Sequence, residues 1–349
     1  MRKLYNTINR DVLIEKMRKS EEHRITISFY KYCKILNPDF FRNYLFEKLD
    51  DLGTLGRIYL AFEGINAQIS IPDKNLDAFK QLINEIEFLK GIRLNYAIED
   101  DGKSFFKLII KHRKKIVADG IEDPAFDATQ CGVHLDAAAF NELCNHPDTV
   151  IVDMRNHYES EIGHFENAIT PDVVTFRESL PIIAEQLKAQ QDKNILMYCT
   201  GGIRCEKASA YMKYKGYKNV FQLNGGIIEY ARQVQSQNLE NKFLGKNFVF
   251  DERLGERITD TVISHCHQCG TVCDHHINCK NDQCHILFIQ CPECAIKYEA
   301  CCSKRCADFI KLDAITQEQI KPTLEFNGSK FSKGRYKALG KDEALNLSE

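Results

Sequence analysis

A thiol followed five positions later by a guanidinium, across two glycines, constrains this chain more than any other feature: Cys199-Thr200-Gly201-Gly202-Ile203-Arg204. The preceding run Asn194-Ile195-Leu196-Met197-Tyr198 reads as a short buried strand. Arg204 through Tyr214 reads as a helix, with Ala208, Tyr211 and Met212 on an apolar stripe. A Gly-rich turn from strand to helix lets successive backbone N–H groups point inward around the sulfur, and the helix adds the positive end of its dipole. Both favour a thiolate at Cys199, and Arg204 adds a cation, so the spacing predicts a nucleophile or persulfide carrier rather than a space-filling cysteine. Cys205 falls in the first helical turn, where it either packs or closes a disulfide with its neighbour.

Around the loop, Thr149-Val150-Ile151-Val152-Asp153-Met154-Arg155 reads as a β-branched strand ending in a charged pair, followed by Glu159, Gly163, His164, Phe165 and Ala168. This order of Asp-x-Arg, Glu, Gly-His-aromatic and Ala ahead of a cysteine loop resembles the rhodanese domain over residues 130–240. The loop has six residues from Cys to Arg, the length of that family rather than the wider seven-residue phosphatase cradle. Val220-Phe221-Gln222-Leu223-Asn224-Gly225-Gly226-Ile227 resembles its last strand and Gly-Gly turn. Asp153 and Arg155 are expected to brace the domain by pairing with Glu159 or a turn, and His164 to be a packed histidine. No Ser-His-Asp set is read here, and no metal ligands are spaced around Cys199.

At 349 residues the chain has room for two or three cores, and its net charge of −2 excludes a globally basic nucleic-acid protein. A first domain is expected at 1–122. Strands are read at Ile25–Tyr30, Gly56–Ala61, Ile65–Ser70, Ile92–Ile98 and Phe105–Ile110, with helices at Asp39–Leu49 and Leu76–Ile86. Two helices on one antiparallel sheet predict a ferredoxin-like α+β sandwich, and the rhodanese-like part predicts an α/β parallel sheet. From Lys103 to Lys115 the chain carries six cations in thirteen positions and no acid, namely Lys103, Lys107, Lys111, Arg113, Lys114 and Lys115. Lys111, Arg113, Lys114 and Lys115 are the candidate RNA contacts. A second basic stretch, Lys330, Phe331, Lys333, Arg335, Tyr336, Lys337 and Lys341, offers aromatics that can stack bases. Linkers are expected at Glu122–Asp127 and Asn238–Lys246.

The remaining part, 245–349, is a small Cys-rich domain with a basic tail, for ten of the fifteen cysteines lie between Cys266 and Cys306. Cys266-x2-Cys269 and Cys291-x2-Cys294 are two knuckles that suit one tetrahedral zinc, and Cys266, Cys269, Cys291 and Cys294 are its candidate ligands. A metal-free thiol-rich fold is the alternative, and His265, His267, His275, His276 and His285 are spare donors. Met1 to Asn6 opens no signal-peptide core and no run reaches about 18 apolar residues, so a cytoplasmic protein with reduced thiols is expected.

Taken with Ala61-Phe62-Glu63-Gly64-Ile65-Asn66-Ala67-Gln68, Lys111 through Gly120, Tyr198 through Lys207 and the tail after Asp274-His275-His276, the chain resembles the rhodanese-domain tRNA uridine hydroxylase family. The resemblance implies tRNA as partner, molecular oxygen as co-substrate, and conversion of the wobble uridine, position 34, to 5-hydroxyuridine. No Rossmann fingerprint and no two-His-one-carboxylate set is present, so no organic cofactor is evident. The expected chemistry is addition of Cys199 to uracil C6, or delivery of an oxidised sulfur, with Arg204 and the loop amides stabilising negative charge. The basic run and Arg204 should then face one cleft wide enough for a flipped base. A sulfurtransferase with a Cys199 persulfide and a non-catalytic RNA-binding or docking protein remain as alternatives.

Overall fold

The computed structural model describes residues 4, 8–329 and 334–345. Lys330, Phe331 and Lys333 of the second basic stretch lie outside them. A short helix α1 (Arg10–Lys19) leads into β1 (Arg24–Tyr32), α2 (Pro38–Asp51), β2 (Leu55–Ala61), β3 (Gly64–Pro72), α3 (Leu76–Glu85), β4 (Asn95–Tyr96) and β5 (Leu108–His112). The helix α2 starts where the sequence says it should, with Asn37 accepting the Phe40 amide at 3.0 Å and Pro38 at its first turn.

The sheet order β4-β1-β3-β2-β5 is the ferredoxin-like order with one strand added at the edge. That added strand pairs parallel to β2, Ile58 opposite Ile110, so the sheet is mixed rather than purely antiparallel. The strand expected over Ile92–Ile98 shrinks to two residues, because the Ile98 amide donates to the Glu256 carboxylate at 3.0 Å instead of continuing the ladder.

Alternation sorts this sheet into two unlike faces. Ile27, Phe29, Ile58, Leu60, Ile65, Ala67 and Ile69 pack with Phe41, Leu45 and Phe79 of the helices in one core. The in-between residues Ser28, Tyr30, Arg57, Tyr59, Asn66 and Gln68 make a polar second face that walls a cleft against the next part of the chain.

That part runs β6 (Val133–Leu135), α4 (Ala137–Cys144), β7 (Thr149–Asp153), α5 (His157–Ser160), β8 (Gly163–Phe165), α6 (Phe176–Gln186), β9 (Asn194–Tyr198), α7 (Ile203–Tyr214), β10 (Asn219–Leu223) and α8 (Gly226–Gln237). Strands β6, β10, β9 and β7 form one parallel sheet in that order, as the rhodanese-like reading requires. Apolar runs such as Ile195-Leu196-Met197-Tyr198 are buried on both faces, which is how a strand between two helical layers must read.

The chain continues through β11 (Phe243–Asn247), β12 (Glu256–Arg257), the hairpin β13 (His276–Asn278) and β14 (Leu287–Ile289), and the short helices α9 (Pro292–Lys297), α10 (Lys304–Phe309) and α11 (Ala314–Ile320). Strand β11 pairs antiparallel with β8, which stitches this segment to the rhodanese-like part. The tail has a core of its own in which Cys279, Cys284, Cys301, Cys302 and Cys306 sit among Ile286 and Phe288. Among the described residues, no helix is long and apolar enough to cross a membrane.

Candidate active site

The strand β9 ends at Tyr198, so Cys199 leaves the middle of the parallel sheet at the point where α7 begins. Gly202 is the hinge of the turn: its φ of +97° is left-handed, and a Cβ there would come within 2.7 Å of the Tyr30 hydroxyl. The Gly202 amide donates to the Cys199 sulfur at 3.2 Å. From the other side, the Ile227 and Ile228 amides at the start of α8 donate to the carbonyls of Cys199 and Thr200 at 3.0 and 3.2 Å. That approach needs Gly226, where a Cβ would sit 2.5 Å from both carbonyl oxygens.

Cys199 is fully buried, and burial alone would push its thiol up. A hydrogen bond from the Cys205 thiol, the charge of Arg204 and the amides of Cys205 and Arg204 outweigh it and bring Cys199 down to about 6. Helix α7 begins at Ile203, one residue earlier than expected, so Arg204 is already inside the first turn and beside the sulfur. Its guanidinium is clamped in a fork by Glu159, at 2.6 and 2.8 Å, with Thr200 Oγ1 at 3.3 Å. The cation is therefore held rigid, and it acts on Cys199 through its field. Glu159 is buried, which works against its charge, but Arg204 holds the carboxyl below its usual range.

The charged pair at the end of β7 closes on itself. Arg155 reaches Asp153 at 2.7 and 2.9 Å and the Gly163 carbonyl at 2.5 Å, with both side chains fully buried. Glu159 goes to Arg204 rather than to this pair, a correction the sequence did not offer. His164 sits half-buried with Nδ1 3.0 Å from the Phe165 carbonyl, a packed histidine.

Thr200, Gly201, Ile203 and Arg204 form one side of a cleft of about 650 Å³, and the polar face of the first sheet forms the other. Asn95, Asn156, Tyr158, Phe176 and Phe250 complete it, giving amide groups and aromatic faces. A space of this size, between about 300 and 1,000 Å³, is what small-ligand sites occupy. Cys199 is fully buried and is not among the residues lining the cleft, so the loop covers its sulfur.

The two halves of the cleft are pinned by one buried cation. Lys207, on α7, is 1 % exposed and binds Glu63 at 2.9 Å through both oxygens, together with Asp119. Glu63 follows β2, Asp119 follows β5, and Lys207 follows the Cys199–Arg204 loop.

The comparisons with known proteins agree with this architecture. The UPF0176 acylphosphatase like domain matches residues 24–116, the Rhodanese-like domain matches 136–233, and the Rhodanase C-terminal model matches 244–307. The chain is 55% identical over 336 residues to the tRNA uridine(34) hydroxylase of Photorhabdus laumondii, spanning 96% of this chain and 95% of that one. It is 56% identical over 334 residues to the tRNA uridine(34) hydroxylase of Pectobacterium carotovorum, with 95% and 94% covered. With that of Salmonella typhimurium it shares 54% over 334 residues, 95% of each. The chain belongs to the tRNA uridine(34) hydroxylase family.

In this family member the stretches that carried the sequence resemblance meet in space: Glu63, Asp119 and Lys207 come from three of them and form the single ion cluster above. The basic run divides. Lys111, Arg113 and Lys114 are exposed, and Arg113 lies 5.8 Å from the ring centre of Tyr59 at the cleft wall. Lys115 instead bonds Asp119 at 2.5 Å and the Ile121 carbonyl at 2.5 Å, a structural tie that its charge alone did not reveal. Lys103 donates to the Arg18 carbonyl at 3.2 Å. None of the run lines the cleft: Arg113 reaches the ring of Tyr59 in its wall, and the residues just after the run, Ile116, Val117 and Ala118, line it.

The described part of the second basic stretch is packed on the Cys-rich tail. Tyr336 stacks between His267 and Phe288, Arg335 pairs with Asp172, and Lys341 donates to the Gln268 carbonyl at 3.0 Å. Tyr336 is occupied by protein rings and is no base-stacking platform.

The four cysteines expected to share a metal do converge: the sulfurs of Cys266, Cys269, Cys291 and Cys294 lie within 4.8 Å of one another. A second set, Cys279, Cys284, Cys302 and Cys306, does the same and is wholly buried. Its irregular spacing hid it, and only the fold brings Cys302 back beside Cys284. Sulfur separations of 3.6 Å (Cys269 to Cys291), 3.6 Å (Cys284 to Cys302) and 3.7 Å (Cys302 to Cys306) approach the edge of a zinc–thiolate tetrahedron, about 3.8 Å for bonds of about 2.3 Å. N–H groups aim at these sulfurs, from Cys291 to Cys266 at 3.4 Å, Cys302 to Cys279 at 3.3 Å and Asn281 to Cys306 at 3.3 Å, as metal-bound thiolates require. Both sets can hold a metal such as zinc. The histidines join neither set: His267 bonds Glu161 at 2.8 Å.

Proposed function

We infer that this chain hydroxylates uridine 34 of tRNA, forming 5-hydroxyuridine with molecular oxygen as co-substrate and Cys199 as the reactive thiol. What carries the reading is a thiolate cradle under a base-sized cleft, in a chain more than half identical along nearly all its length to tRNA uridine(34) hydroxylases. The part at 1–122 supplies the polar wall and the exposed cations Lys111, Arg113 and Lys114 for the phosphate backbone, the part at 130–240 supplies the chemistry, and the part at 245–349 braces both. Lys115 serves them only by holding the cleft closed at Asp119.

A wobble base turned out of the anticodon stack enters the cleft between the aromatic side chains, where amides of Asn66, Gln68 and Asn95 face its edge. Because Cys199 is covered, the stretch from Thr200 to Ile203 has to lift for the sulfur to reach the base. The thiolate adds to C6, and the electron pair of the C5–C6 bond moves toward C5 and O4. Arg204 and the loop amides offset the negative charge, and carbon 5 becomes open to oxygen. Asp153 and Arg155 keep the end of β7 in place beside Glu159. Zinc held by the two four-cysteine sets would supply folding energy to the tail, away from the cleft.

Nucleoside mass spectrometry of tRNA incubated with the protein tests this directly. The mass of one oxygen should appear on uridine in air, not under argon, and not with Cys199→Ser. Absence of the gain in every sample would overturn the hydroxylase reading and leave a Cys199 persulfide carrier, detectable as a sulfur adduct after thiosulfate.

A further inference from the structure

Cys205 has so far served only to lower the Cys199 thiol, yet it shares the buried cluster in which the reactive sulfur sits. It is fully buried at the third position of α7, and its amide donates to the Gly202 carbonyl at 2.9 Å, which fixes it in the first turn. The same Gly202 donates its own amide to the Cys199 sulfur at 3.2 Å, so one residue of the turn links the two cysteines. Both sulfurs lie in one apolar cluster with Val152, Met154, Ala208 and Met212. Burial keeps the Cys205 thiol protonated while Cys199 is ionised, so the pair holds one thiolate and one thiol ready to donate.

Hydroxylation by molecular oxygen puts one oxygen atom on carbon and must reduce the other to water, a step that consumes two electrons and two protons. A dithiol that closes to a disulfide releases that number of each. We propose that Cys199 and Cys205 form a redox pair that supplies these electrons, closing to a disulfide once per turnover. The proposal rests on the hydroxylase reading above.

The balance runs through named bonds. Cys199 adds to C6, and C5 bonds to oxygen to give a C5 hydroperoxide. Loss of the C5 proton expels Cys199 as thiolate. The freed thiolate takes the distal oxygen, breaking the O–O bond and leaving 5-hydroxyuridine and a Cys199 sulfenic acid. Cys205 attacks that sulfur, the S–S bond forms, and the distal oxygen leaves as water with the thiol proton and one from solvent. In sum, one uridine, one O2 and two thiols give one 5-hydroxyuridine, one disulfide and one water. An external dithiol then restores the pair by attacking Cys199, the sulfur nearer the cleft.

The test is a single turnover. The full-length protein is reduced with a dithiol, freed of it under argon, and mixed with tRNA in air-saturated buffer; 5-hydroxyuridine and the Cys199–Cys205 disulfide are counted by mass spectrometry. The expected result is a burst of no more than one product per chain with one disulfide per product, and no comparable disulfide without tRNA. Cys205→Ser and Cys205→Ala, each checked for an unchanged melting transition, should lose the burst at least tenfold. Product made while both thiols stay reduced, equal disulfide without tRNA, or a full burst from a folded Cys205 variant would overturn the redox pair. Product that forms only with excess dithiol, with no burst in its absence, overturns the pair and leaves the hydroxylase reading standing. No product from the wild type under either condition overturns that reading, and the pair with it.

Discussion

Cysteine is used in two opposite ways in this chain. At the loop, a single thiol is ionised by groups that are always present: an amide of a left-handed glycine, a helix N-terminus and a guanidinium locked by Glu159. In the tail, eight thiols face one another in two sets with neutral N–H and hydroxyl groups against them. Four such sulfurs cannot be anionic together unless a metal cation sits between them, whereas Cys199 has its cation built in as Arg204. The difference teaches that a buried thiol is read by its partners: fixed positive groups make a reactive sulfur, and other sulfurs make a ligand.

The comparison breaks most visibly by substitution. Cys199→Ser should cost at least about 10³-fold in hydroxylation while the melting transition hardly moves, since the change is nearly isosteric. Cys284→Ser should do the reverse, costing folding of the tail and one zinc. Elemental analysis of the intact protein is expected to give about two zinc ions per chain and about one in that variant. A metal-free, fully folded wild type would collapse the distinction between the two regions.

Removing the lock on the loop is the next largest effect. Glu159→Ala leaves Arg204 buried without its partner and should destabilise the protein by about 3–5 kcal/mol, measured by denaturant unfolding. Acidity sharpens the contrast more gently. With Cys199 lowered to about 6, the thiolate is fully formed above that pH and is lost below it. Activity should therefore be flat from pH 7 to 8 and fall about tenfold per unit below 6, where an unperturbed thiol would already fail near pH 8. Smallest of all, Lys111→Ala, Arg113→Ala and Lys114→Ala should each reduce the salt slope of tRNA binding by about 1. Lys115→Ala should leave the slope unchanged and lower stability instead, because its charge is spent on Asp119.

The ferredoxin-like and rhodanese-like layers were legible because alternation and helical spacing are local properties: Ile25–Tyr30 and Asn194–Tyr198 are found where their patterns lie. The strand read at Phe105–Ile110 is found two or three residues later as β5, but its parallel pairing was not legible, since which edge a strand joins depends on residues far away in the chain. At the site, Cys199 and Arg204 stood out by spacing, and the first zinc set by its two knuckles. Glu159 as the partner of Arg204 and the second four-cysteine set escaped as contacts between distant segments, and Lys115 escaped because its partner Asp119, only four residues on, is set by a loop rather than by a helical pattern. The cleft wall escaped for a related reason. Ser28, Tyr30, Asn66 and Gln68 alternate with the core residues as a solvent face would, and nothing nearby says that the Thr200–Arg204 loop will stand opposite.

Lys207 has a consequence for how such a chain is inherited. Its ammonium is shut from water, and both of its counter-charges, Glu63 and Asp119, are encoded before residue 122. A gene fragment carrying only the rhodanese-like segment would therefore express a protein with an unanswered charge one turn from its own reactive loop. Moved into another chain, this segment would carry that charge with it and need two host carboxylates at the same seam.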